Sequence, residues 1–169
     1  DGAEVRRLVL VDPVGVAGDW LPGLHAAGLA HLAGRDPAAH DALAALDPAA
    51  LREPDPAVHA AYARAFFPAW FADRVMVPMF PVPHSTSVTG ATVAARLRRD
   101  GYDWRDRLRA LPTPTLVVHG MDDVLSADQA RRTVAHLADA RLALLADAGH
   151  MPFWEAPDRF FPRVAQFLK

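Results

Sequence analysis

Two short apolar runs late in the chain, Thr115 to His119 and Arg141 to Ala146, bracket a segment with helical periodicity. This arrangement limits the fold more than any other stretch. Ser126 is a predicted N-cap, and Gln129 three residues on completes a capping-box pattern. Ala127, Ala130, Val134 and Leu137 then recur at helical spacing, so a helix is expected over Ser126 to Asp139. A strand, a helix and a second strand in that order force the two strands to run parallel. In a parallel sheet the ligand site lies beyond the carboxyl ends of the strands. The loops that follow these two strands are therefore where chemistry is expected.

The flanking segments fit the same architecture. Val5 to Val11 ends in a continuous apolar run that stops at Asp12-Pro13, as a strand covered on both faces does. Ala156 to Leu168 carries one apolar stripe of Phe160, Phe161, Val164, Phe167 and Leu168, which predicts a helix packed on the sheet. Pro162 is expected to kink or restart that helix. The long middle shows no clear strand. Asp36-Pro37, Asp47-Pro48 and Asp55-Pro56 each read as an N-cap followed by proline at the first helical position. Aromatic residues follow at Tyr62, Phe66, Phe67, Trp70 and Phe71. Val77 to Pro83 is too proline-dense for helix or central strand, and another helix is expected from Ser87 to Arg99. Residues 1–18 then form a core strand and turn, 19–100 a helical insertion, and 101–169 the rest of the core.

Composition removes several function classes. The net charge of -2 offers no basic face for nucleic acid. There are no cysteines, which excludes disulfides, cysteine metal ligands and a cysteine nucleophile. No stretch approaches the roughly 20 apolar residues of a membrane span. A cytoplasmic location fits these features.

The first of the two loops reads His119-Gly120-Met121-Asp122-Asp123. The second reads Ala148-Gly149-His150-Met151-Pro152-Phe153-Trp154-Glu155-Ala156-Pro157. Consecutive parallel strands are usually neighbours, so an Asp on one loop can reach a His on the next. A buried carboxylate that accepts the imidazole N–H fixes the tautomer and stabilises the imidazolium formed when the ring takes a proton. Asp123 and His150 are the candidate pair. Asp122 competes with Asp123. Asp12, which also ends a strand at this edge, is a further candidate acid, although a capping turn before Pro13 explains it as well. His119 reads as a structural residue of the turn. His25, His31, His40, His59 and His136 fall on expected helices without the carboxylate company of a metal site, and no metal is predicted. His84 follows the proline run and faces no clear assignment.

The order strand, H-G-x-x-D, helix, strand, A-G-H-x-P-x-x-E-x-P and terminal helix resembles the C-terminal portion of the α/β-hydrolase superfamily. The opening R-L-V-L-V-D-P-V-G resembles the strand that precedes the helical cap of that family. Gly101 to Gly120 and the stretch A-Y-A-R-A-F-F-P-A-W-F resemble its proline iminopeptidase-like branch. By position the resemblance makes Asp123 the acid and His150 the base, with no cofactor. It also implies a partial α/β-hydrolase fold of about three parallel strands with flanking helices. The N-terminal strands, the oxyanion loop and the nucleophile elbow would then lie outside these residues. No G-x-S-x-G is present, and the serines are Ser85, Ser87 and Ser126, none on a strand-to-helix elbow.

The resulting expectation is a Ser-Asp-His hydrolase whose serine is supplied by the N-terminal half of the same fold, so that this chain alone is inactive. A peptide or amide with a small N-terminal residue is the first substrate class and a carboxylic ester the second. A non-catalytic α/β-hydrolase-like binding domain is the reading from another class. The aromatic residues Phe67, Trp70, Phe80 and Phe153 are the candidates for lining the substrate pocket.

Overall fold

A computed structural model describes residues 5–80 and 87–169. Its centre is a three-stranded parallel sheet in the order β1 (Leu8–Val11), β2 (Thr115–Gly120) and β3 (Ala140–Leu145). Val9 pairs with Leu116 and Leu116 with Arg141, so the register runs across all three strands. All six residues of β2 are buried, which explains the apolar run Leu116 to Val118 at its centre. Alternate residues serve opposite faces. Leu116 and Val118 pack with Ala143, Leu145, Phe160 and Phe167 beneath the terminal helix α8 (Pro157–Leu168). Val117 packs on the other face with Ala130 and Leu137, beneath and beyond helix α6 (Ala127–Ala135).

Helix α6 ends four residues before the predicted Asp139. Its N-terminus differs from the expected capping box. Ser126 caps as predicted, with its hydroxyl accepting from the Asp128 amide at 3.2 Å. Gln129 does not reach back. Its Oε1 is buried without a hydrogen-bond partner, and the space beside it is left by Gly15, where an added Cβ would lie 2.6 Å from that oxygen. Packing against the β1 loop has displaced a local hydrogen bond. The expected break at Pro162 is also absent, since α8 continues through it. Pro162 and its i−4 neighbour Asp158 are both exposed, so water can satisfy the carbonyl left without a donor.

Between β1 and β2 the chain makes a helical excursion. Its two ends lie side by side, with the Gly18 amide donating to the Tyr102 carbonyl and the Trp104 amide to the Val16 carbonyl, each at 2.9 Å. Helices α1 (Leu24–Leu32), α2 (Pro37–Ala44), α3 (Pro56–Phe66) and α4 (Val88–Asp100) build it, and the short α5 (Arg105–Arg109) leads back to the sheet. All three Asp-Pro pairs cap as predicted. Asp36 accepts from Ala39, Asp47 from Ala49, and Asp55 from both Ala57 and Val58. Asp47 heads a 3-10 turn, Pro48–Arg52, rather than an α-helix. Arg74–Met79 is a second correction: it forms a 3-10 helix despite Pro78, capped by Asp73. The proline run beyond Phe80, with His84 and Ser85, lies outside the described residues. The excursion has its own core of Leu32, Leu43, Leu51, Tyr62, Phe66 and Ala69. Among the described residues, no helix is long and apolar enough to cross a membrane.

Phe160 ties α8 to β2 and β3. Its replacement by alanine should cost about 3–5 kcal/mol of unfolding free energy, read from urea denaturation. A loss below 1 kcal/mol would mean that α8 does not hold the sheet.

Candidate active site

Helix α6 and its return place the loops after β2 and β3 side by side. Two glycines let their backbones interlock. A Cβ at Gly120 would lie 2.2 Å from both the Ala148 and the Gly149 carbonyl oxygens. A Cβ at Gly149 would lie 2.4 Å from the Trp70 carbonyl oxygen and 2.7 Å from the Ala72 amide nitrogen. The H-G and A-G-H sequences therefore record backbone-to-backbone contact that any side chain would prevent. The amides of Met121 and Asp122 complete the junction by donating to the carbonyls of Leu145 and Ala148.

This junction brings Asp123 to His150. Asp123 Oδ2 accepts from His150 Nδ1 at 2.8 Å, while Oδ1 accepts from the Leu125 amide at 3.0 Å. The Asp123 carboxylate is fully buried and the His150 side chain is 23% exposed. Because the carboxylate accepts at Nδ1, the proton sits there and Nε2 keeps its lone pair. Among the described residues Nε2 has no hydrogen-bond partner. An imidazole oriented in this way can take a proton from a nucleophile and return it to a leaving group. Asp122 is exposed, and among the described residues the carboxylate bonded to His150 is that of Asp123.

The helical excursion grips the same histidine. The His150 amide donates to the Trp70 carbonyl at 2.7 Å, and the Trp70 ring lies against the imidazole with centroids 4.1 Å apart. Glu155 was part of the sequence motif without an assigned role, and its geometry supplies one. One carboxylate oxygen accepts from the Ala72 and Asp73 amides and the other from the Gly149 amide. Glu155 thus staples the His150 loop to the excursion. Burial pushes its carboxyl above the ordinary range, against the pull of those backbone donors.

The remaining predicted residues fall into separate places. Phe67 and Phe80 pack on each other and on Phe71, and Phe80 also meets Trp154. Phe153 packs against Phe160 and the core under α8. Ser87 caps α4 by accepting from the Gly90 amide, and Ser126 caps α6, so both hydroxyls are engaged in local structure.

Two further polar residues lie directly behind Asp123. His119 is fully buried, and its Nε2 donates to the Leu125 carbonyl at 2.8 Å. Burial lowers its tendency to protonate. Asp12, buried at the end of β1, accepts from the Gly120 amide at 2.8 Å. Asp12, His119 and Asp123 each offer a polar atom within 4.8 Å of the others, a donor set of the kind that can hold a metal ion. The three are engaged instead with the Gly120, Leu125 and His150 groups already named.

The comparisons with known proteins agree with this architecture. The profile of the alpha/beta hydrolase family matches residues 2–163. The chain belongs to the alpha/beta hydrolase family. It is 34% identical over 68 residues to a pimeloyl-[acyl-carrier protein] methyl ester esterase of Nitrosospira multiformis, covering 40% of this chain and 26% of that protein. It is 43% identical over 68 residues to the proline iminopeptidase of Lactobacillus delbrueckii subsp. lactis, covering 40% of this chain and 23% of that protein. An esterase from Exiguobacterium antarcticum has a similar fold, with a TM-score of 0.64 at 19% identity over 99% of this chain and 58% of that one. The chain therefore spans little more than half the length of that esterase, and its matches to the two named relatives cover about a quarter of each.

Replacing Gly149 by alanine should strain the loop junction and destabilise the fold by about 1–3 kcal/mol in urea denaturation. An unchanged midpoint would show that the backbones can separate without cost.

Proposed function

We propose that this chain supplies the acid and the base of a Ser-Asp-His hydrolase. The observation that carries the reading is the 2.8 Å bond between the buried Asp123 carboxylate and His150 Nδ1, at the carboxyl edge of a parallel sheet. In this reading a serine on a preceding segment attacks the substrate carbonyl. His150 Nε2 takes the hydroxyl proton and then delivers it to the leaving group. Asp123 orients the ring and balances the imidazolium charge. The preceding segment also provides the strands beside β1, the oxyanion donors and the nucleophile elbow. Leu8, Val9 and Leu10 are only half-buried and Val11 is exposed, as strands awaiting a neighbour are.

For the substrate, the first reading is a peptide or amide bearing a small N-terminal residue, supported by the similarity to a proline iminopeptidase. The second is a carboxylic ester, supported by the similarity to a methyl ester esterase. One observation favours the ester. A free amino terminus calls for a carboxylate near the base, and Glu155 beside His150 is already occupied by three backbone amides. In either case the helical excursion, with Trp70 against the imidazole, shields the site from water.

The test is to express the coding sequence together with the segment preceding it, and to assay a methyl ester and an L-prolyl anilide. Hydrolysis of at least one is expected, and His150→Gln should lower kcat at least about a thousandfold. A variant that retains its full rate would remove His150 from the chemistry. The 169-residue chain alone is expected to hydrolyse neither substrate.

A further inference from the structure

The cluster behind Asp123 contains more acceptors than donors. His119 Nε2 faces the Leu125 carbonyl, so its proton is there and Nδ1 carries a lone pair. That Nδ1 is buried without a hydrogen-bond partner, and so is Asp12 Oδ2. The Asp12 Oδ1 atom lies 3.3 Å from Nδ1, and both side chains are essentially inaccessible to water. His119 Nε2 is also 3.8 Å from Asp123 Oδ2. The groups acting on Asp12 are Gly120 and His119 of β2, Asp123 of the next loop, and Glu155 of α7 (Pro152–Glu155). Three of these are acidic or neutral side chains, the ion-pair contacts of the cluster run among Asp12, His119, Asp123 and His150, and the Arg131 charge further disfavours protonation of His119.

Two buried carboxylates this close each raise the cost of charging the other, which favours one of them keeping a proton. The number of donors decides which one keeps a proton. Asp123 accepts from two donors, His150 Nδ1 and the Leu125 amide. Asp12 accepts from one, the Gly120 amide.

We propose that Asp12 is a positioning residue that stays protonated at neutral pH, with its proton directed at the bare Nδ1 of His119, so that Asp123 is the one anion facing His150. The proposal rests on the reading of Asp123 and His150 as acid and base. A small rotation of the Asp12 carboxyl turns the 3.3 Å approach into an O–H to Nδ1 hydrogen bond and gives a partner to an orphaned atom. An ionised Asp12 would instead compete with Asp123 for the field of the imidazolium. Burial, and after it the charge of Asp123, a hydrogen bond to the Asp123 carboxylate and the charge of Glu155, push the Asp12 carboxyl up to about 8, against the pull of the Gly120 amide. The folded chain therefore binds this proton more tightly than the unfolded chain does. The stabilisation is complete below about pH 4, and is lost as pH rises toward about 8.

Infrared spectroscopy of the chain tests this without any assay of hydrolysis, so a failure of the hydrolase reading leaves the result interpretable. A carbonyl stretch of a protonated carboxylic acid is expected at pH 7. It should survive in Glu155→Gln, whose own carboxyl is the other raised acid, and vanish in Asp12→Asn. Absence of the band from the wild type at pH 7, or its survival in Asp12→Asn, would overturn the proposal. Thermal melting gives a second readout. The wild type should lose stability relative to Asp12→Asn between pH 5 and pH 8, and parallel profiles would contradict a proton held on Asp12. If Asp12→Asn does not fold, the wild-type band decides alone: it should persist in Glu155→Gln at pH 7 and disappear as pH is raised past about 8.

Discussion

At the junction of the loops after β2 and β3, backbone lies directly against backbone. Gly120 at the end of β2 lies under the Ala148 and Gly149 carbonyls, with no room for a methyl group on either glycine. Everything chemical about the chain depends on that contact. It sets the distance between two loops that belong to different strands, and so brings Asp123 within 2.8 Å of His150. A looser junction would leave two mobile polar side chains, with the entropy of each still to be lost when they meet. Here the loss has already been taken up by packing and by backbone hydrogen bonds.

Around this junction the sheet and the helical excursion act as one support. Glu155 is the physical link, since one carboxylate holds the Gly149 amide and the amides of Ala72 and Asp73. Trp70 adds a second link through its carbonyl and its ring. The aromatic run that continues through Phe66 and Tyr62 belongs to the core of the excursion. The histidine is therefore held from below by the sheet, from one side by Asp123, and from above by the excursion. Its remaining nitrogen is directed away from these partners, which is the geometry a general base needs.

How much of this was legible in the sequence depended on the range of each interaction. The parallel sheet followed from a strand, helix and strand in order, and the Asp-Pro caps from bonds two or three residues long. The approach of Asp123 to His150, 27 residues apart, was legible because topology brings the ends of neighbouring strands together. Glu155 and Asp12 were harder. Their partners lie 83 and 108 residues away, and no local pattern reports such a bond. Gln129 shows the reverse failure, a strong local signal overruled when its side chain was packed beside Gly15. Pro162 was misread because a proline inside a helix is tolerated where the orphaned carbonyl meets water.

Asp123 accepts the Nδ1 proton of His150 within a partly buried site. Proton NMR in water reads that proton directly. A resonance far downfield of the amide region, assigned to His150 and removed by Asp123→Ala, is the predicted result. A His150 ring whose Nδ1 proton exchanges too fast to be seen, with or without Asp123, would contradict the account.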